Sequence, residues 1–281
     1  MLTGQGGRAV LKVAYVTYDG PDDDRAVLLD AWARAGIDGR AVRWDDPAVR
    51  WERFDAAVVR STWNYVHRRD EFVAWAYKAE GATRLLNPAG LLDLNSDKSY
   101  LRDLGVPTVP TTWVRPGEPV ELPELAEYVV KPSVSAGARD TVRTAVRSAA
   151  EEHARSLTAA GRVAMVQPYL AMVEAEGETS LVYFGGEFSH ARRRNAMLAP
   201  AAPQGRHLGT SAREPAADQL ALAARVLATL AVPPLYARVD LVRLPDGTPA
   251  VIELELVEPY LYLADSPGAA DRLTAALLGL L

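Results

Sequence analysis

The chain has 281 residues, with 31 Lys and Arg against 36 Asp and Glu and a formal charge of −5. That balance argues against non-specific binding to nucleic acid or to an anionic membrane. It contains no cysteine, which excludes disulfides, thiolate metal sites and a cysteine nucleophile. Nowhere do about 18 apolar residues run together, and the start lacks an apolar core with a small-residue cleavage site, so a cytoplasmic protein is expected.

In chain order, residues 10–17 predict a strand, 25–35 a helix stopped by Gly36, 39–44 a second strand and 56–60 a third. A helix over 71–80, with Phe72, Trp75 and Ala76 on one face, and a short strand at 84–86 complete a small doubly wound α/β unit. Ligands meet such sheets at the carboxyl ends of their strands. Arg60, Ser61, Thr62, Trp63 and Asn64, which follow the third strand, are therefore candidates for a substrate wall, with Arg60 suited to pair with a carboxylate. Trp63 and Tyr65 fit equally well as packing against the following helix.

Residues 96–104 read as a helix with Ser96 as its N-cap and Gly105 beyond its end. Prolines then punctuate a connection around a strand at 111–114. A strand at 127–131 ends on Lys131 and leads into Ser133, Ser135, Ala136, Gly137 and Ala138. A strand at 141–146 and a helix at 149–160 close a lid-like unit. Small residues let backbone N–H groups gather around phosphate, and the lysine adds charge. The loop is neither a Walker P-loop nor a GxGxxG turn, and an ordinary connector has the same composition. Only Lys12, Lys78, Lys98 and Lys131 are lysines, every other basic residue being arginine. A compact ammonium kept in such a chain points to a chemical need, because the planar arginine fork does not replace it at a phosphate.

An apolar run at 163–170 enters Gln167-Pro168-Tyr169-Leu170. As a hinge it would let an amide and backbone groups read an adenine edge, with Glu174 on ribose hydroxyls; as a plain connector it would leave Glu174 solvated. Strands at 181–184 and 187–194 flank Gly185-Gly186, an apt two-residue turn. Alternation sends Arg192 and Arg194 one way and Arg193 the other. Residues 195–213 are polar and aperiodic and read as a mobile loop, and helices are expected at 216–230 and 269–280. His67, His153, His190 and His207 show no metal spacing.

The hairpin from 236 to 259 carries the densest chemistry. With Asp246 and Gly247 as a two-residue turn, Asp240 faces Glu253 and Arg238 faces Glu255. All four then share one face, while Val239, Leu241, Ile252 and Leu254 point to the other. Opposed like charges destabilise a sheet, so a cation is expected among the three acids, and hard carboxylate oxygens suit Mg²⁺. A solvated charged face fits the hairpin taken alone.

Lys98, Lys131 in VVKP, the loop SVSAGARD, Gln167 and Leu170 with Glu174 beyond, and RVD followed by ELE together resemble, in that order, the ATP-grasp superfamily. RSTWNY, FGGEFSHARRR and ELELVEP are similar to its branch related to glutathione synthetase domains. The resemblance runs from about Asn87 to the end. It implies an α/β (α+β) ATP-grasp fold, with an N-terminal substrate-side domain over 1–92, a lid over 93–164 and a core antiparallel sheet with helices over 165–281. It also implies Lys98 and Lys131 on the α- and β-phosphates of ATP, Ser135 to Ala138 covering the triphosphate, and Gln167, Leu170 and Glu174 on the nucleoside. Asp240, Glu253 and Glu255 would hold two Mg²⁺ ions, Arg238 would stabilise the transferring phosphoryl group, and Arg193 and Arg194 would touch the γ- or acyl phosphate. Many members carry Asn where this chain has Glu255, which adds negative charge to the site.

The implied activity is carbon–nitrogen ligation, in which a small amino-acid-like carboxylate becomes an acyl phosphate and a nitrogen displaces phosphate. In ring-closing members that nitrogen belongs to the same molecule. An intermolecular amide or dipeptide ligase, a phosphotransferase and a non-catalytic ATP-binding module are the alternatives. Partners would be small molecules, with no nucleic acid and no membrane, and by analogy with relatives a second copy of the chain in a homodimer.

Overall fold

After Lys12 every residue of the first strand, β1 (Lys12–Thr17), is buried, the pattern of a parallel strand covered on both faces. The computed structural model describes residues 10–195, 198 and 209–281. The chain forms two units: one runs to Leu92 and takes in Val257–Leu281, and the other is Asp93–Leu256.

In the first unit β1 is followed by helix α1 (Asp24–Arg34), β2 (Asp38–Arg43), β3 (Ala56–Ser61), helix α2 (Arg69–Glu80) and β4 (Arg84–Leu86). The strands pair in parallel in the order β2-β1-β3-β4. Phe72 and Ala76 of α2 bury against Val59, Trp44, Tyr65 and Leu85, joined by Val257 from the end of the chain. The C-terminal helix Ala269–Leu280 lies against α1, where Arg34 meets Asp271 at 2.6 Å. This is the doubly wound unit expected.

The second unit holds two antiparallel sheets. Helix α3 (Ala89–Asn95) leads in, followed by β5 (Thr112–Val114), β6 (Tyr128–Pro132), β7 (Val142–Thr144), helix α4 (Arg147–Ala159) and β8 (Ala164–Pro168). These strands lie in the order β5-β8-β6-β7. Tyr128, Val130, Ala164 and Val166 face Ala150, Ala154 and Leu157 of α4, so the other face of the sheet carries Val129, Lys131, Met165 and Gln167. The short helix α5 (Met172–Glu176) then precedes β9 (Glu178–Phe184), β10 (Glu187–Arg194), β11 (Thr210–Ala212), helix α6 (Ala217–Leu227), β12 (Tyr236–Arg243) and β13 (Pro249–Glu255), in the order β11-β10-β9-β12-β13. Among the described residues no helix is long and apolar enough to cross a membrane.

Three expectations are corrected. Residues 96–104 form no α-helix: a 3₁₀ turn at Lys98–Arg102 is capped by Asp97, whose carboxylate accepts from Ser99 N at 2.9 Å. Ser96 donates instead to Asp93 O at 2.8 Å. Part of the expected loop at 195–213 is strand β11, paired with Arg192–Arg194. Its residues 196–197 and 199–208, His207 among them, lie outside the described residues.

The third correction concerns the acidic hairpin. Gly247 N donates to Leu244 O at 2.8 Å and Leu244 N to Thr248 O at 2.9 Å, with Gly247 at φ +85°. The loop is therefore Pro245, Asp246 and Gly247, the three-residue type with a left-handed glycine. That displaces the register by one, and a bulge restores it, since Leu241 pairs with Val251 while Asp240 pairs with Glu253. Asp240 faces Glu253 and Arg238 faces Glu255, as expected. Ile252, the extra residue, leaves the Val239–Leu241 side and joins Val242, Val109, Val173, Tyr169 and Leu170 in a separate apolar cluster.

Candidate active site

One carboxylate oxygen from each of Asp240, Glu253 and Glu255 lies within 4.8 Å of the other two, the one cluster of that kind among the described residues. Such a donor set, oxygen only, fits a hard divalent cation. Arg238 threads the cluster, with its Nε 2.9 Å from Asp240 Oδ1, one Nη 2.7 Å from Asp240 Oδ2 and a contact to Glu255 Oε1. Arg194 Nη1 donates to Asp240 Oδ2 at 2.9 Å, and Lys98 Nζ lies 3.2 Å from Glu253 Oε1. Arg238, Arg194 and Lys98 thus bring positive charge of the chain itself to the acids. Burial acts to raise the Asp240 carboxyl, but the charges of Arg238 and Arg194 outweigh it and the net shift is downward.

Lys98 Nζ also donates to Ser135 O at 2.7 Å, tying the 3₁₀ turn to the small-residue loop. In that loop Gly137 and Ala138 both have positive φ, 64° and 56°, and both are exposed. Lys131 has no hydrogen-bond partner for its ammonium among the described residues. Burial lowers its pKa, Lys98 adds to the effect, and Glu253 and Glu178 only partly offset it. An ammonium held desolvated in this way is primed for an anion.

At the hinge Gln167 is buried and donates to Thr111 Oγ1 at 2.8 Å, while Leu170 belongs to the apolar cluster with Ile252. Glu174 is engaged elsewhere: its Oε1 accepts from Tyr169 Oη at 2.7 Å and from Arg143 Nη1 at 3.0 Å. Those two bonds hold its carboxyl below the usual range. Arg143 also forks onto Glu127 at 2.7 and 2.9 Å and stacks 3.4 Å over the Tyr169 ring.

Arg193 is not brought to the acids. It donates to Glu176 O at 2.9 Å and Ala175 O at 3.0 Å, and contacts Asn195. Alternation turns it to the far side of β10, where the closing carbonyls of α5 attract a guanidinium. Arg194 remains with the acids, and opposite it stands Glu178, which sequence reading missed. A two-residue turn at Gly185-Gly186 would set Arg194 against Gly177, but a bulge at Ser189 moves the register by one. Burial pushes the Glu178 carboxyl up, and Arg194 opposes it from 3.7 Å.

In the first unit Arg60 is turned inward. It is 2% exposed, donates to Pro259 O at 2.7 Å and lies 3.8 Å from Asp24. A buried guanidinium needs such compensation, which leaves it serving the fold instead of pointing outward to a carboxylate. Asp24 in turn accepts from Leu261 N and Leu263 N. Ser61 donates to Asp22 at 2.5 Å, Trp63 to Glu258 O at 3.2 Å, and Asn64 accepts from Trp44 at 2.9 Å. Tyr65 stacks on Phe72 at 4.9 Å, the packing alternative. Thr62 is buried.

Two antiparallel sheets in one unit, one ending in a lysine and a small-residue loop and the other carrying clustered acids, define an ATP-grasp ligase. The fold matches the ATP-grasp RimK domain protein of Sphaerobacter thermophilus with a TM-score of 0.67 at 18% identity, over 94% of this chain and 98% of that one. Residues 13–87 match the family model for the N-terminal domain of D-cycloserine synthetase DcsG. The chain is 39% identical over 280 residues to the cycloserine biosynthesis protein DcsG of Streptomyces lavendulae, covering 91% of this chain and 93% of the relative. Against the crystal structure of D-cycloserine synthetase DcsG the TM-score is 0.88 at 36% identity, over 96% and 99% of the two chains. The chain belongs to the DcsG family.

Proposed function

We propose that this ligase uses ATP to activate the carboxylate of a small amino-acid-like substrate and closes a ring by attack of a nitrogen within the same molecule. The product is D-cycloserine, in keeping with the names of the relatives, and the substrate is O-ureido-D-serine, as the sequence resemblance to a ring-closing cyclo-ligase implies. The observation that carries the ATP half is the charge arrangement: three acids crossed by Arg238, Arg194 and Lys98, with the desolvated ammonium of Lys131 on the lid sheet.

Asp240, Glu253 and Glu255 would hold Mg²⁺, two ions as the ATP-grasp resemblance implies, and the metal would supply charge neutralisation for phosphoryl transfer. A substrate carboxylate oxygen forms a bond to the γ-phosphorus and the bond to ADP breaks. Charge grows on the phosphoryl oxygens in that step, and fixed cations stabilise it. Lys98 and Lys131 bind phosphate oxygens, the backbone of Ser135, Ala136, Gly137 and Ala138 covers them and excludes water, and Arg238 and Arg194 hold the acids in place. The nitrogen lone pair then attacks the acyl carbon, phosphate leaves and the nitrogen gives up a proton. Because D-cycloserine carries no carbamoyl group, one water cleaves the bond from that nitrogen to the carbamoyl carbon: the nitrogen takes up a proton, and the carbamoyl group leaves as carbamic acid, which falls apart into carbon dioxide and ammonia.

Incubation with ATP, Mg²⁺ and O-ureido-D-serine should release ADP and phosphate and yield D-cycloserine, and hydroxylamine should trap a hydroxamate. Absence of ADP and hydroxamate across a panel of amino-acid carboxylates would sink the ligase reading. A linear amide in place of a ring would sink the cyclisation.

A further inference from the structure

Gln167 lies buried at the end of β8, and what it can offer a ligand depends on which end of its amide faces outward. Gln167 stands opposite Val129, and Met165 opposite Lys131, so by alternation Gln167 and Lys131 share the face turned away from α4. Lys131 is two residues beyond Val129, about 7 Å along the strand. Gln167 Nε2 donates to Thr111 Oγ1 at 2.8 Å, and Thr111 Oγ1 donates to Val109 O, also at 2.8 Å.

A hydroxyl has a single proton. With that proton committed to the Val109 carbonyl, Thr111 can only accept, and an acceptor can face only the NH₂ end of the amide. The ambiguity that usually attends an amide's orientation is removed by this relay. Gln167 Oε1 is therefore turned away from Thr111, and no described residue donates to it. Val109 itself, with Tyr169, Leu170, Val242 and Ile252, belongs to one apolar cluster, the kind of surface on which a flat base rests.

We propose that Thr111 sets the base selectivity of the nucleotide site by locking Gln167 so that a carbonyl oxygen, not an amino group, meets the purine. A carbonyl accepts from the 6-amino group of adenine. It opposes the 6-oxo group of guanine, acceptor against acceptor. Thr111 is a positioning residue that acts only through Gln167. The inference rests on the reading of this site as an ATP site.

The test measures kcat/KM with ATP and with GTP for the wild type, Thr111→Ser, Thr111→Val and Gln167→Leu, each with a thermal melt. T111S keeps the hydroxyl and should keep the wild-type preference for ATP. T111V frees the amide to turn and should cut the ATP-to-GTP ratio about tenfold, through KM for ATP, with kcat within about twofold. Q167L should cut the same ratio. An unchanged ratio in T111V, or an equal loss in T111S, overturns the proposal. Should T111V fail to fold, a wild-type ratio in Q167L overturns it, and a loss there with retention in T111S supports it. Calorimetry showing that the wild type binds neither nucleotide is a separate outcome, in which the ATP-site reading itself fails.

Discussion

Arg238 forks onto Asp240 from two residues back on the same strand, with Nε to Oδ1 at 2.9 Å and Nη2 to Oδ2 at 2.7 Å. Both side chains are buried, and the same guanidinium reaches Glu255. Replacing Arg238 by Leu leaves two acids without their shared counter-ion. Breaking one partner of such a buried group costs about 3–5 kcal/mol. Urea unfolding of Arg238→Leu should show that loss, and ADP release should fall below detection.

Asp240 and Glu178 should act on the pH dependence of stability with opposite signs. The folded pKa of Asp240 is depressed, so its contribution is complete above the ordinary aspartate range and is lost as pH falls through the folded value. The folded pKa of Glu178 is raised, so its ionised form weakens the fold at neutral pH, and that cost vanishes in acid. Melting from pH 8 down to pH 3 should show Asp240→Asn flattening the acid limb. Glu178→Gln should gain most over the wild type at the neutral end.

Lys131 presents a trade between stability and activity. Its pKa is lowered chiefly by burial, so the charged form costs folding free energy, in full wherever the pH lies below the folded pKa. Lys131→Met should raise the melting temperature of the nucleotide-free protein by about 2–4 °C. ATP binding followed by calorimetry should weaken at least tenfold. A variant both less stable and fully active would contradict the assignment of this lysine to phosphate.

Arg143 ties three parts of the second unit through Glu127, the Tyr169 ring and Glu174. The geometry needs a planar fork that also stacks, which an ammonium cannot supply. Arg143→Lys should therefore lose most of what Arg143→Ala loses, about 1–2 kcal/mol for the bidentate and stacked contacts. Urea midpoints of both variants measure it. A lysine variant with wild-type stability would show that charge alone suffices.

Much of the site was legible before folding was considered, because its chemistry is local. Lys131 at the end of an apolar strand, the small residues after it and the acids alternating in one hairpin need only chain order and strand periodicity. The doubly wound first unit was legible for the same reason, its apolar runs being bounded by turn residues. Arg60 was misread because its compensating groups, Asp24 and the Pro259 carbonyl, lie far along the chain. The ion pair of Glu174 with Arg143 was not legible either, because nothing adjacent in sequence reveals Arg143.

Sequence by itself determined which residue types gather and on which strands, whereas the pairing of Asp240 with Glu253 and of Arg238 with Glu255, expected from a two-residue turn, holds only because two register shifts cancel. Tertiary structure alone decided where the register slips. Three loop residues at Pro245 to Gly247 and the bulge at Ile252 displace the hairpin by one residue each in opposite senses, so the acids meet as expected while Ile252 changes sides. The bulge at Ser189 has no such compensation and sets Glu178 against Arg194. A side-chain period of two makes every slip of one residue a change of face. Whether a bulge forms depends on how neighbouring strands and their burial are satisfied together, which no local pattern encodes.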